Sequence, residues 1–532
     1  MGGFRPAFFG VHVRQFKTSE FLARQQDQIP VARIRKGLRF ERSALICFTL
    51  FTMFTFFVRW PYLGDPAADF DEQLYQLIGQ QMLHGAVPFV DLWDRKPIGL
   101  FLIYATANII GGESIWSYQL LACASTIWAA ALIFSLARPF TDTVGAVTAA
   151  LLYIIYLSAF GSYVGQSEVF FIPLLLLMTK LATRLLAAAD QSAALRLCYQ
   201  IILLGGLCLQ IKYTVLPQCM FFGILCLWKL RMLGMPYRVL TRHAGQFALV
   251  GLVPTLCVTA FYLTIGQFDA FAFANFWSIF QRGPLSGVLK DFYRAQVTIM
   301  AFPLFVIACA GALALSLRKR RIAPGYILVG GWTVSAFLSA TMVGNIYIHY
   351  FATVIPGLVI LASPALRMNR LGAVLSSLAM LFGLLFFNPA RHHQISMKSR
   401  AGFEGVVKLA SPFIGKHHDC LYVYDGPTAL YHATQSCLPT RFIYPDHLNN
   451  AQEENALGIN TEYEVGRILA DRPGVIITAS EPVVPVYNRA TSALVSKTIA
   501  RNYVRIGSFR YFPRVLFVNV RRDLVVAGHS SR

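Results

Sequence analysis

The sequence predicts a polytopic α-helical membrane protein of about 11 to 13 transmembrane helices, followed by a C-terminal extracytoplasmic α/β domain. The 532 residues are 56% apolar and only 14% charged, with a mean hydropathy of +0.53. That is more apolar surface than a soluble core can bury. Apolar runs of spanning length recur from Ala44 to about Asn388, and each crossing needs roughly 20 residues whose backbone groups are satisfied inside a helix. From about residue 390 the chain becomes polar, with short β-rich runs.

Residues 1–43 read as a cytoplasmic basic arm containing Arg5, Arg14, Lys17, Arg24, Arg33, Arg35, Lys36, Arg39 and Arg42. The first apolar run ends in bulky Phe57 and Val58 without a small-residue cleavage site, so it is expected to act as a signal anchor. The membrane domain, 44–388, has candidate spans near 44–60, 116–137, 143–159, 168–186, 198–212, 214–230, 244–265, 297–317, 325–343, 348–366 and 371–388. The net charge of +21 does not imply nucleic acid, because Lys and Arg cluster in connectors between apolar runs. These are Arg138, the stretch Arg184 to Arg196, Arg231 and Arg238, the run Arg318-Lys319-Arg320-Arg321, and Arg367 with Arg370. Positive-inside sorting makes all of them cytoplasmic.

One further apolar run, Ile98 to Gly111, would reverse every later connector if it crossed. At about 14 residues it is also short for a span, so it is expected to be re-entrant or interfacial. The outer loops are then 61–115, 160–167 and 266–296, and everything after Asn388 lies outside. In the tail, 389–532, strands are expected at Leu421–Tyr424, Thr440–Tyr444, Val475–Ile477 and Val515–Val520, with helical patterns near 401–409 and 462–470. Cys420 and Cys437 are candidates for a disulfide in an oxidising compartment. The remaining cysteines, Cys47, Cys123, Cys198, Cys208, Cys219, Cys226, Cys257 and Cys309, fall in apolar segments without metal-ligand spacing and read as small buried hydrophobes.

The outer loop carries Asp69-Phe70-Asp71-Glu72 and, further on, Trp93-Asp94-Arg95-Lys96-Pro97. An acidic pair in a loop is usually solvated surface. Here Asp71 opens a helix-like stretch with Leu74, Leu77 and Ile78 on one side, which lays the acid at the water–lipid boundary. Asp71 and Glu72 are adjacent, so on a helix they project about 100° apart and cannot face one ligand together. Lys96 sits before Pro97 at the mouth of an apolar run, where it either snorkels or meets a phosphate. Glu168 follows the Gly161 to Ser167 loop and reads either as an anchor or as a residue facing a cavity. Loop 266–296, with Arg282, Lys290 and Arg294, suits an aromatic belt with basic anchors. Asn345 to Phe351 opens a span, and His349 alone would more often be a hydrogen-bonded interface histidine than a catalyst.

As an ordered set, Asp71-Glu72 with Tyr75, Lys96-Pro97, Glu168, and His349-Tyr350-Phe351 through Ile355-Pro356 resembles the GT-C membrane glycosyltransferases. The likeness is to bacterial relatives of the dolichyl-phosphate-mannose protein mannosyltransferases and of the aminoarabinose lipid A transferases. It spans residues 44 to about 366. The chain departs from the commonest pattern, which has Lys-Pro-Pro where this one has Lys96-Pro97-Ile98, and from members with Asp at position 168.

The resemblance implies inverting transfer of a sugar from a polyprenyl-phosphate donor to a lipid, glycan or protein acceptor at the periplasmic face of the inner membrane. No cofactor, metal or nucleic acid is expected. Asp71 is then the general base, Lys96, Arg282, His349 and Tyr350 bind the donor phosphate, and Glu72, Tyr75 and Glu168 orient sugar or acceptor. A multi-span transporter or flippase is the alternative, although internal repeats and matched broken helices are not evident.

Overall fold

The computed structural model describes residues 31–285, 287–318, 322–342, 346–484 and 486–530. The expectations for the side chains of the basic arm, for Lys319, Arg320 and Arg321, and for Asn345 lie outside the described residues. The chain forms two compact units, Met1–Leu50 and Phe51–Arg532. The described part of the first is helical, within Val31–Arg59.

Among the described residues, nine helices are long and apolar enough to cross a membrane. The expected spans near 143–159 and 325–343 are also helical, as Thr143–Ala159 and Pro324–Thr341. Thr143–Ala159 runs through the middle of the bundle, with Leu152, Tyr153, Ile154 and Ile155 fully buried. Polar caps set the starts of several spans: Asp142 accepts from Gly145 N, Asp190 from Ala193 N and Ser114 from Trp116 N. Cys257 and Cys309 are exposed on the bundle surface. This corrects the expectation that every apolar-segment cysteine is buried, since a span needs only one face against its neighbours.

The segment Ile98–Gly111 is a helix of 14 residues. Where Ile115–Ala137 begins, Gln119 accepts from Gly64 N (2.6 Å) and donates to Tyr62 O (3.2 Å). Near the far end of the same helix, Phe134 meets Phe51, with ring centroids 6.1 Å apart. The two helices are therefore antiparallel, so the stretch between them, with helices Phe70–Leu83 and Ile98–Gly111, leaves and re-enters the bundle at the same end. Two glycines allow the close packing. A Cβ on Gly79 would lie 2.9 Å from Ala105 N, and one on Gly99 would lie 2.5 Å from Gln210 O. At the opposite end the basic connectors meet one another: Lys229 Nζ donates to Leu186 O, Gln191 Nε2 to Leu233 O, and Met368 N to Asp142 Oδ2, each at 2.9 Å.

Beyond the last span, the helix Pro389–Ala410 leads into a four-stranded sheet in which Leu421–Val423 (β1), Val475–Ala479 (β2), Arg514–Arg521 (β4) and Tyr503–Tyr511 (β3) lie side by side in that order. The β1–β2 pair is parallel and the others are antiparallel. Helix Thr461–Ala470 lies between β1 and β2 in the chain, and Arg489–Asn502 precedes β3. The expected strand at Thr440–Tyr444 is not formed. Pro439 and Pro445 flank it, and its Arg441 carbonyl accepts from Trp93 N (2.9 Å) in the 61–115 loop instead of from a strand. Cys420 and Cys437 are joined by a disulfide. The sheet domain docks on the loop end of the bundle through Tyr511 OH donating to Ala67 O (3.0 Å) and Ala429 N donating to Gln73 Oε1 (3.2 Å).

Candidate active site

The helix Phe70–Leu83 starts where it does because Asp69, in extended backbone, caps it by accepting from Asp71 N (3.0 Å). Asp71 and Glu72 then occupy the first turn, where the helix dipole favours acids. The angular separation of neighbouring helical residues sends them to different places. Glu72 is fully buried and accepts from Gly165 N (2.6 Å) in the 160–167 loop. Burial, then Asp69, pushes its carboxyl well above the usual range. Asp71 points the other way, into a cavity of about 480 Å³.

Tyr75, one turn on, shares the Asp71 face. Its hydroxyl donates to Asp71 Oδ2 (3.3 Å) and accepts from Lys96 Nζ (2.7 Å). The Lys96 ammonium lies 3.9 Å from the same Oδ2, and Gln166 Nε2 also approaches it at 3.4 Å. The other oxygen, Oδ1, accepts from Tyr444 OH at 2.9 Å. Burial works to raise the Asp71 carboxyl, but Lys96 and His349, with the Tyr444 and Gln166 hydrogen bonds, hold it below the usual carboxylate range. Burial likewise opposes charge on Lys96, and Asp71 with Asp94 more than offsets it. Both groups are therefore charged at neutral pH. Asp69 behaves oppositely: burial and the neighbouring Asp71 push its carboxyl up.

The cavity is closed on other sides by Arg282, Tyr347, His349 and Tyr350 from the bundle, and by Tyr444, Asp446, His447 and Asn450 from the tail domain. Arg282 reaches Glu453 through Nε (2.7 Å) and lies 3.8 Å from Asp446. Glu453 also receives the Arg95 fork, at 3.0 and 2.5 Å, a bidentate geometry suited to a buried carboxylate. Burial, then Glu453, raises Asp446 to about 6, against the pull of Arg282.

Of the residues singled out in the sequence, Asp71, Tyr75, Lys96, Arg282, His349 and Tyr350 line this cavity, whereas Glu72 and Glu168 do not. Both are buried, Glu72 against Gly165 N and Glu168 against Lys212. Glu168 opens the helix Ser167–Ala187 and is ion-paired with Lys212, whose ammonium stands 4.3 Å from the Tyr350 ring centroid. Both acids thus support the walls of the cavity from behind. The tail residues Tyr444, Asp446 and His447 were missed, because nothing in a polar 445–450 stretch marks it as facing an acid 373 positions away. The tripeptide Tyr444-Pro445-Asp446, an aromatic and an acid around a proline, was the available signal.

Beside this site, an apolar cavity of about 470 Å³ runs between Gly287–Arg318, Pro324–Thr341 and the Phe351–Leu358 stretch, lined by Phe302, Phe305, Phe337 and Val354. A further cavity of about 380 Å³ shares Val297 and Phe351 with it and carries Lys290 and Arg294. Among the described residues, no cluster of three or more His, Cys, Asp or Glu side chains is placed to hold a metal ion.

A helical membrane bundle with a loop-built polar cavity at one end, capped by a small sheet domain, defines a protein of the GT-C fold. The chain is similar to ArnT from Cupriavidus metallidurans in the apo state, with a TM-score of 0.59 and 13% identity over 93% of this chain and 99% of that one. The same holds for ArnT bound to undecaprenyl phosphate, with a TM-score of 0.59 and 13% identity over 92% and 98% of the two chains. No protein-family model and no curated protein sequence matches the chain.

Proposed function

We propose that this protein is an inverting glycosyltransferase that moves a sugar from a polyprenyl-phosphate donor to a lipid, glycan or protein acceptor at the outer face of the membrane. The observation that carries the reading is the single cavity in which the Asp71 carboxylate faces Lys96 and Arg282. A phosphate leaves without being protonated, so the reaction needs one base on the acceptor and cations on the leaving group. In the proposed step Asp71 takes the acceptor O–H or N–H proton as that atom attacks the anomeric carbon. The anomeric C–O bond breaks with its electron pair passing to the phosphate, which Lys96 and Arg282 stabilise, with Tyr350 and His349 alongside.

The apolar cavity among Phe302, Phe305 and Phe337 suits an isoprenoid chain, and ArnT, which shares the fold, binds undecaprenyl phosphate. The outward orientation is supported by the basic connectors at the opposite end and by the Cys420–Cys437 disulfide at this one.

The test is to incubate membranes with a panel of radiolabelled polyprenyl-phosphate sugars and follow donor consumption. One donor is expected to be consumed by the wild type, and Asp71→Asn is expected to abolish that turnover while leaving protein level and detergent behaviour intact. An active Asp71→Asn variant would remove Asp71 as base, and failure with every donor would favour transport.

A further inference from the structure

The Asp71 carboxylate is held from two directions. Oδ2 is surrounded by groups of the bundle and its loops: Tyr75, Gln166 and Lys96. Oδ1 has one protein donor among the described contacts, the Tyr444 hydroxyl at 2.9 Å, and this comes from the C-terminal domain. Tyr444 is itself firmly placed. It precedes Pro445, which biases it to the extended backbone it adopts (φ −78, ψ 119). Its ring packs edge-on against His447, centroids 5.2 Å apart, and His447 in turn packs on Trp93 at 4.7 Å. Upstream, Thr440 Oγ1 donates to Glu464 (2.6 Å), so the loop is tied back to helix Thr461–Ala470. The domain is clamped to the same cavity by Glu453, which takes Arg95 and Arg282 together.

We propose that Tyr444 is the positioning residue that fixes the orientation of the Asp71 carboxylate, so that the C-terminal domain completes the active site and the membrane bundle alone lacks an aligned base. The inference rests on the glycosyl-transfer reading. Without the Tyr444 bond the carboxylate is held on its Oδ2 side alone, by Tyr75, Gln166 and Lys96, and Oδ1 loses the donor that sets its direction. Proton transfer requires the base within hydrogen-bond reach of the acceptor at a defined angle. The bond also favours the ionised carboxylate; of the other titratable groups that face Asp71, Lys96, His349 and His447 favour that form and Asp69, Glu72, Asp94 and Asp446 oppose it.

The experiment compares wild type, Tyr444→Phe and Asp71→Asn in one membrane preparation, using the polyprenyl-phosphate sugar that the wild type consumes. Tyr444→Phe is expected to lower kcat by about 10-fold or more, the range for losing a hydrogen bond to a charged group, with donor KM nearly unchanged. The acidic limb of its pH–rate profile should move to higher pH, because the carboxylate has lost a stabilising donor. A purely structural tyrosine would leave that limb where it is. Wild-type kcat and an unmoved limb in Tyr444→Phe, with Asp71→Asn inactive, overturn the proposal and leave the transfer reading standing. Activity in Asp71→Asn overturns the transfer reading itself. Should Tyr444→Phe fail to fold, 3-fluorotyrosine installed at 444 keeps the ring and acidifies the hydroxyl. It should shift the acidic limb to lower pH, and an unchanged profile again overturns the proposal.

Discussion

At the scale of single residues, the cavity works through pairs whose charges are set by burial and by each other. Lys96 keeps its proton because Asp71 and Asp94 outweigh the cost of burying it. Lys96→Met should therefore do two things. Loss of the proposed leaving-group cation should reduce kcat/KM by about 100-fold or more, and loss of the ion pair should move the acidic limb of the rate profile upward. A stopped-time donor-consumption assay across pH reads both.

Asp446 offers a pH dependence of opposite character. With its folded pKa raised to about 6, it is neutral below that pH, and Arg282 then keeps Glu453 with less competition for the proposed donor phosphate. Above it, an anion 3.8 Å from Arg282 competes with the donor. Donor KM should rise as pH increases from about 5 to 7, and Asp446→Asn should flatten that rise. The same raised pKa means that the native state binds this proton more tightly than the unfolded chain. The associated stability is full below the unfolded carboxylate pKa and is lost as pH rises through about 6.

At the scale of elements, the decisive feature is the pair of helices Phe70–Leu83 and Ile98–Gly111. The first presents Asp71 and Tyr75 to the cavity and turns Glu72 into the wall, a consequence of 100° per residue. The second brings Lys96 to its own N-terminus through Pro97, whose fixed φ suits that position. Their approach to the bundle depends on glycine. Gly99→Ala would place a methyl 2.5 Å from Gln210 O, a backbone atom that cannot swing aside. It should destabilise the detergent-solubilised protein by about 1–3 kcal/mol, read as a lowered Tm, and reduce turnover by displacing Lys96. Gly245→Ala, where a Cβ would meet nothing within 4 Å, is the control expected to leave Tm unchanged or slightly raised.

At the scale of the whole molecule, the bundle has one end built of polar loops and the sheet domain, and another where Arg138, Lys229 and Arg367 gather near connectors. This asymmetry predicts sidedness. In a background with the other cysteines replaced by serine, a membrane-impermeant maleimide should label Cys420 and Cys437 from outside intact cells, and only after reduction. Labelling that requires breaking the membrane would invert the proposed topology and move the cavity to the cytoplasmic side.

The membrane class and the approximate spans were legible in the sequence alone. The sequence also named most of the charged residues that meet in the cavity. These are properties of short windows: a run of apolar residues, a basic connector, an acid at a helix start. Strand β3 escaped because Arg505, Gly507 and Arg510 break the apolar alternation of an edge strand whose outer face needs no burial. Only the tertiary structure decided which acid of the Asp71–Glu72 pair faces the cavity, that Glu168 is spent on Lys212, and that Tyr444 and Asp446 arrive from the tail. Those outcomes depend on which segments far apart in the chain pack against one another, and no local pattern encodes that geometry.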